Sequence, residues 1–502
     1  MESMLGVLDA GCILCPVNWR WSVQEVAEAM SRLSPALPQL QLLAPACGTA
    51  LIVFTSGTTA APKAVALSHA SFHAQSLAKL ALVGYSPADT YLHLAPLFHI
   101  GGLSSAFAAL MAGCAHVFLP RFEPAAALAV VARRRVTAFI AVPTMLQDLA
   151  AAAAAAAEAT AGSMAGSTDA VARTFPYAEL ISAYGMTEAC SSMTFRHLRS
   201  PAATTGGGAH AVASAAQLWA PTGPPSTTAV APAAVAGLAA GSAVCVGLPG
   251  PGVQIQISPM EGQDAATVPT ATATTGTEGP SGGGAQQGPA VGEVMTRGPH
   301  VMRGYWRDSE ATAKALTPDG WLRTGDLGFL AGDGALWLLG RAKDMIKSGG
   351  ENVFAPQVEA ALTSHPAVAA AAVVGLPDER LGEQVAALLV LRDGWSFDGP
   401  TLAAPHEGAP YAGDGGQGGS GSAAAVPGEA RGISLAALQA HCRAQGLAGF
   451  RLPRFAAAQR GPLPANSSGK VQKPRVRELL AALRAGALAG DAASGSSVRS
   501  RL

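Results

Sequence analysis

Charge is what this sequence has least of. Asp, Glu, Lys and Arg make up 13% of its 502 residues, against roughly 25% in ordinary globular chains. The two signs cancel, 33 against 33, and no basic block stands out. That balance argues against a dedicated nucleic-acid binder, so no nucleic-acid partner is expected. Long apolar runs are missing too. No stretch of about 18 residues has bilayer character, and the run Ala150 to Ala157 is short and weakly apolar, so no membrane span is expected. The N-terminus lacks both the Arg/Ser-rich texture of a transit peptide and the three regions of a signal peptide. The seven cysteines are scattered and odd in number; Cys12 and Cys15 form a C-x-x-C, but no second pair follows to complete a zinc site. Incidental thiols in a reducing interior are the better reading. The length suffices for about three domains at roughly 150 residues each and for a core that needs no staple.

In excess are alanine, 58 glycines and 35 prolines. With so little charge, that composition suggests an ordinary fold diluted by neutral low-complexity inserts. Four stretches fit: 149–168, 201–243, 261–291 and 396–432. None holds a sustained apolar period, so they read as loops or linkers. The alanine run has a second reading as a solvent-facing helix. Residues 51–145 have normal complexity. A buried strand at 51–54 is followed by a helix at 69–83, a strand at 116–120, the helical EPAAALAVVARRR and a strand at 136–143. Strands alternating with helices predict an α/β fold with a largely parallel sheet. The first thirty residues read as helix, short strand, loop and helix, as if the chain began inside a fold.

The chemistry is carried by short polar phrases at strand ends. Leu51-Ile-Val-Phe-Thr-Ser-Gly-Thr-Thr-Ala-Ala-Pro-Lys63 runs a buried strand into a Ser/Thr/Gly loop and then a lysine. Backbone N–H groups and hydroxyls in such a loop suit phosphate oxygens, and the lysine adds a compact positive charge; a polar turn is the plain alternative. Tyr184-Gly-Met-Thr-Glu188, Trp321-Leu-Arg-Thr-Gly-Asp326, Gly340-Arg-Ala-Lys-Asp-Met-Ile-Lys-Ser-Gly-Gly-Glu-Asn352 and Asn466-Ser-Ser-Gly-Lys470 follow in that order.

This set resembles the acyl-adenylate-forming, AMP-binding superfamily, which includes acyl-CoA synthetases, luciferases and peptide-synthetase adenylation domains. The phrases QSLAKLALVGYSPADTYLHLAPLFHIGGLSSA, LISAYGMTEACSSMTF and HCRAQGLAGFRLPR are similar to plant-type 2-succinylbenzoate–CoA ligases, which serve phylloquinone biosynthesis. The resemblance implies a large N-terminal domain at 1–340 of mostly parallel sheets and helices, a small mobile α+β lid domain at 341–482 and a flexible tail at 483–502. It implies ATP, Mg²⁺ and coenzyme A, with a small carboxylic acid, o-succinylbenzoate, as substrate. Alternatives are a ligase for another aryl or fatty acid such as a coumarate, and a nucleotide-binding pseudoenzyme.

Roles carry over from the matched phrases. Thr55, Ser56, Gly57, Thr58, Thr59 and Lys63 are expected to cradle the β- and γ-phosphates. Glu188 holds Mg²⁺, and Thr187 touches the α-phosphate. Tyr184 lies near the adenine. Asp326 accepts from both ribose hydroxyls, since a carboxylate can accept two at once, and Arg341 binds ribose or phosphate. Lys470 meets the reacting carboxylate and α-phosphate. Lys343 is the hinge, and Ser348, Gly349 and Gly350 meet coenzyme A. His99 and Gly185 border the acyl pocket, where the loop from His99 to Ser105 offers an imidazole and the Ser104 and Ser105 hydroxyls to a second carboxylate. His93, Trp321 and Trp337 read as core.

The chain also departs from the family. Ala60 and Ala64 stand where glycine is usual. An N-terminal subdomain, a segment between Met30 and Leu51, and a glycine-rich strand-loop between Pro143 and Tyr184 are expected to be missing, so that the core sheet lacks a strand. A gene model that has lost exons accounts for intact signatures better than a degenerate paralogue does. The sequence ends Ser500-Arg501-Leu502, a close variant of the S-K-L address read by the peroxisomal import receptor; the chloroplast is the alternative location.

Overall fold

Five consecutive apolar residues with no charge among them must go inside, and in the strand Thr49–Thr55 (β1) Ala50 to Phe54 are all buried. It pairs antiparallel with Lys63–Ser68 (β2), Thr55 opposite Lys63. The computed structural model describes residues 2–10, 12–18, 21, 23–33, 48–55, 62–158, 171, 173–199, 243–259, 270–272, 290–402, 431–465 and 471–493. Helices Glu2–Asp9 (α1) and Val23–Leu33 (α2) precede β1, and Leu14 bridges to Leu51. Helix His69–Val83 (α3) spans the expected residues. Ser68 caps its start in a capping box with Ser71, and Gly84 closes it in the left-handed region, φ 75°.

The α/β class stands, but its parallel character is local. Strands Thr90–His93 (β3), Ala115–Phe118 (β4) and Ala138–Phe139 (β5) form a parallel sheet in the order β4-β3-β5. Helices Ile100–Met111 (α4) and Pro124–Arg134 (α5) make the crossovers that parallel neighbours need. The expected strand at 136–143 shrinks to two residues because Pro143 opens the helix Pro143–Glu158 (α6). Elsewhere in the larger unit short connections favour antiparallel pairs, as between β1 and β2. The strands Leu180–Met186 (β6), Ser191–Arg199 (β7), Val244–Pro249 (β8), Gln254–Pro259 (β9), Thr270–Thr272 (β10), Gly292–Arg297 (β11), Leu322–Leu330 and Leu336–Arg341 form an eight-stranded sheet. Its pairs β9–β10, β9–β11, β6–β7 and β7–β8 are antiparallel. Among the described residues β6 ends this sheet, and none of its seven residues is fully buried. The two-residue strand Gly304–Tyr305 (β12) pairs with β2.

The inserts are narrower than composition suggested. Residues 149–158, read as loop or as a solvent-facing helix, continue α6, with Leu149 and Ala150 buried against the domain; alanine's helix propensity prevails over its lack of pattern. Thr270–Thr272 adds to the edge of β9. The short strands Trp395–Phe397, Thr401–Leu402 and Arg431–Ile433 occupy both ends of the 396–432 stretch. Stretch 201–242 lies outside the described residues.

Contacts divide the chain into two compact units; Leu339–Leu502 makes up most of the second, and Gly325–Leu327 groups with it. Leu322–Leu330 is β13 and Leu336–Arg341 is β14; the second unit holds the hairpin Met345–Ser348 (β15) and Glu351–Phe354 (β16), then the long hairpin Val368–Asp378 (β17) and Gly382–Leu391 (β18). Strand Phe455–Gln459 runs parallel to β18. Glu359, on the helix Ala355–Thr363, accepts from the Val373 amide at 2.8 Å and pairs with Lys473 at 2.9 Å. Lys473 begins a helix that reaches Ala493, so much of the expected tail is helical; 494–502 lie outside the described residues. The six described cysteines are free thiols. No described helix is long and apolar enough to cross a membrane.

Burial of histidine gives this fold an acid-labile point. His300 is 2% exposed and shares a 2.8 Å hydrogen bond with Thr296, and burial lowers its pKa from 6.5 to about 4. The unfolded chain therefore binds the proton first. The stability from a neutral His300 is complete above the unfolded pKa and is lost as pH falls from 6.5 towards 4, at up to about 1.4 kcal/mol per pH unit. Denaturant melts at pH 7 and 4.5 should show a smaller acid loss in His300→Gln than in the wild type.

Candidate active site

The phrase from Tyr184 to Glu188 folds as the end of β6 and a single 3-10 turn, Thr187–Ala189, which hands the chain to β7. Gly185 pairs with Ser192 and Met186 with Ser191. A Cβ on Gly185 would lie 1.6 Å from the Ser191 carbonyl oxygen, so this glycine is demanded by the approach of two backbones. Just beyond, Cys190 at φ 53° and Ser191 at φ 111° are two consecutive non-glycine residues at positive φ. Each such conformation costs on the order of 1–3 kcal/mol and persists only where the surroundings impose it. One restraint is the Met302 amide, which donates to the Glu188 carbonyl at 2.8 Å.

The Glu188 side chain is 9% exposed, and its Oε1 accepts from the Tyr305 hydroxyl at 3.0 Å. The Lys63 ammonium sits over the face of the same ring, 4.6 Å from its centroid. One phenol thus brings together the two charges that the sequence placed in different phrases. Burial, and then the charge of Glu188, push the Tyr305 hydroxyl well above its ordinary range, so it stays a donor at neutral pH. Its backbone is fixed by pairing with Val65 and by an N–H bond to Thr312 Oγ1 at 2.9 Å. Tyr305 escaped the sequence reading because it lies in Arg303-Gly-Tyr-Trp306, between phrases; the aromatic pair after a glycine was the signal on offer.

Thr55 and Lys63 flank the 56–61 stretch as cross-strand partners. Ser56, Gly57, Thr58, Thr59 and Ala60 lie outside the described residues, as does Lys470. Ala64 is buried on a regular strand opposite Phe54, a position with no need of glycine. Tyr184 packs half-buried against the main core beside Met186, and Thr187 is half-buried. His99 takes the N-cap position of α4 without a side-chain cap bond, its ring 5.0 Å from Phe98. Burial lowers its pKa, which favours the neutral ring. The Ser104 and Ser105 hydroxyls, expected to serve a substrate carboxylate, are instead buried and accept from Lys79. On the helix they face α3. His93 shares a 2.8 Å hydrogen bond with His116 and stacks on Phe118.

In the second unit Asp326 is buried and Arg341 Nε donates to its Oδ1 at 3.0 Å. Lys343 sits in the one-turn helix Ala342–Asp344. Burial lowers its pKa, Asp344 opposes the shift, and Arg341, Lys473 and Arg477 reinforce it. Gly349 and Gly350, at φ 62° and 84°, are the two-residue loop between the paired Ser348 and Glu351. That turn type requires positive φ at both central positions. Ser348 is fully buried, its hydroxyl without a hydrogen-bond partner among the described residues. Trp321 and Trp337 are buried, the latter stacked on Phe329. No cluster of three or more His, Cys, Asp or Glu that could hold a metal occurs among the described residues.

The Gly185 contact makes a direct stability test. Gly185→Ala should destabilise by about 1–3 kcal/mol or more, since backbone must shift to admit the methyl. Gly101→Ala, on a helix with nothing within 4 Å of the added atom, should be neutral or gain up to about 1 kcal/mol. Chemical denaturation of the two variants beside the wild type measures the difference.

Family models match for the AMP-binding enzyme over residues 41–220 and for the AMP-binding enzyme C-terminal domain over 357–405. The chain is 30% identical to 2-succinylbenzoate–CoA ligase, chloroplastic/peroxisomal, of Arabidopsis thaliana, across 95% of this chain and 85% of that protein. It is 29% identical to feruloyl-CoA synthase of an Amycolatopsis species, across 80% and 78% of the two chains. In fold it resembles o-succinylbenzoate CoA synthetase of Bacillus subtilis, solved with the acyl-adenylate intermediate, with a TM-score of 0.58 at 24% identity over 95% of this chain and 80% of that one. The chain belongs to the AMP-binding enzymes and, within them, to the AMP-forming acyl-CoA synthetases.

Proposed function

We propose that the chain activates o-succinylbenzoate, using ATP and coenzyme A, for phylloquinone biosynthesis. The observation that carries the adenylation half is the Tyr305 ring, with Glu188 at its hydroxyl and Lys63 on its face. A carboxylate is a poor acylating agent because its leaving group is oxide. Attack by its oxygen on the α-phosphorus of ATP expels pyrophosphate and leaves an acyl-adenylate. The coenzyme A sulfur then attacks the acyl carbon, loses its proton and expels AMP. Neither step needs a covalent bond to the protein, so the work is positioning and charge stabilisation.

In this reading Lys63, Thr55 and the stretch Ser56, Gly57, Thr58 and Thr59 hold the β- and γ-phosphates. Thr187 touches the α-phosphate, and Tyr184 borders the adenine. Glu188 offers a buried carboxylate oxygen, a fit for a small hard cation that completes its shell with phosphate oxygens and water and needs no protein cage. Mg²⁺ there would neutralise phosphate charge. Asp326 and Arg341 hold the ribose, and Lys470 meets the acid during adenylation. Lys343 is the hinge of a lid whose Ser348, Gly349 and Gly350 later meet coenzyme A. Gly185 and the neutral His99 border the acyl pocket. The substrate reading is supported by the likeness to the Arabidopsis ligase across nearly the whole chain. That relative's name gives both chloroplast and peroxisome; Ser500, Arg501 and Leu502, outside the described residues, favour the peroxisome. A fluorescent protein carrying these last residues should enter peroxisomes and lose that location when Leu502 is removed.

Pyrophosphate release with matched acids tests the substrate. O-succinylbenzoate should exceed benzoate, coumarate and octanoate; equal turnover with coumarate or octanoate would defeat the substrate while leaving the ligase chemistry. Asp326→Ala should weaken AMP binding by about 1.5–3 kcal/mol, the worth of a charged hydrogen bond, measured by calorimetry. Tyr305→Phe leaves a buried carboxylate short of one donor and should slow adenylation roughly 10-fold or more.

A further inference from the structure

Helix α3 sends two buried polar side chains to one place. Gln75 and Lys79 stand four residues apart, on one helix face, at 1% and 2% exposure. The Gln75 amide grips both backbone groups of Ser192. Its Nε2 donates to the carbonyl at 2.7 Å, and its Oε1 accepts from the N–H at 3.3 Å. Lys79 Nζ donates to Ser191 Oγ at 3.1 Å, to Ser105 Oγ at 3.0 Å, and to Ser104 Oγ. These acceptors are three neutral hydroxyls, with no carboxylate among them. An ammonium buried with no counter-ion among the described residues is costly, and burial lowers its pKa to about 7, with the Cys190 thiol opposing the shift. A methionine would fill the same volume at no such cost, so packing alone does not account for Lys79.

The targets of both side chains are the informative part. Ser191 and Ser192 are the first residues of β7, separated from the turn Thr187–Ala189 only by Cys190, and Cys190 and Ser191 are the two strained residues at positive φ. From the other flank Gly185 and Met186 pair with these same serines. Without a restraint on this side, relaxation at Cys190–Ser191 would swing the Thr187–Glu188 backbone.

We propose that Gln75 and Lys79 are positioning residues that clamp Ser192 and Ser191, hold the strained turn and so fix where Thr187 and Glu188 project. The purpose of the clamp rests on those two residues serving adenylation. A displacement of about 1 Å at a reacting centre can cost up to roughly 10²-fold in rate, so the clamp acts on kcat more than on binding.

The test uses Lys79→Met, Ser191→Ala and Gln75→Met in the full chain, with two readouts. Hydrogen–deuterium exchange of peptides covering 184–192 should quicken in each variant while the rest of the chain keeps its protection. In pyrophosphate release kcat should fall, by up to about 100-fold, with KM for ATP and acid changed little. The double variant Lys79→Met with Ser191→Ala should be no slower than the worse single. If Lys79→Met does not fold, the two milder variants carry both readouts. Unchanged exchange over 184–192 overturns the clamp, and so does a loosening spread evenly through the chain with kcat falling only as the folded fraction falls. If the segment loosens in the variants while the wild type releases no pyrophosphate with any acid, the clamp is upheld and the adenylation reading fails.

Discussion

The close approach of the Ser191 carbonyl to Gly185 is the constraint on which the larger unit's site depends. Because no side chain stands at 185, β6 and β7 come near enough for their connection to be one tight turn. That turn forces two ordinary residues to positive φ and delivers Glu188 to the hydroxyl of Tyr305. Tyr305 in turn belongs to a strand added to β2, whose first residue is Lys63. Two sheets that share no strand thus meet at one phenol. The strain is tolerable because it is set among fully buried neighbours such as Met193 and Ala189, which cannot rearrange without opening voids.

Much of this was legible in the residues themselves. The apolar run of β1, the helix His69–Val83, and the strand–helix–strand run from β4 through α5 to β5 follow from periodicity. The polar phrases marked Glu188, Asp326 and Arg341, and the structure joins Asp326 to Arg341. What periodicity could not give was strand direction, since a strand pattern has no sign; a short connection favours an antiparallel pair, as between β6 and β7, but β7 and β8 pair antiparallel across a long one. Nor could it give the contacts of Tyr305 with Glu188 or of Lys79 with Ser191, which span 117 and 112 residues of chain. A lysine within an apolar helix reads as a solvated residue until the helix is seen to bury that face.

Composition misled in one direction. Alanine-rich sequence carries no amphipathic signal, yet α6 continues through it to Glu158. Intrinsic propensity suffices where tertiary contacts at Leu149 have already nucleated the helix, since extension is far easier than initiation. The serines Ser104 and Ser105 show the opposite error. Counted along the sequence they looked like polar lining, but helical geometry turns them to the neighbouring helix.

The pair of Asp326 and Arg341 has a consequence for the nucleotide role proposed for it. The carboxylate is 9% exposed and the guanidinium 37%, so the buried group is aimed by a partner that itself still reaches water. A sugar arriving at such a group meets an acceptor whose rotamer and hydration have been settled in advance. Less freedom is then lost on binding, and a modest set of hydrogen bonds yields more affinity than the same bonds to a loose side chain would.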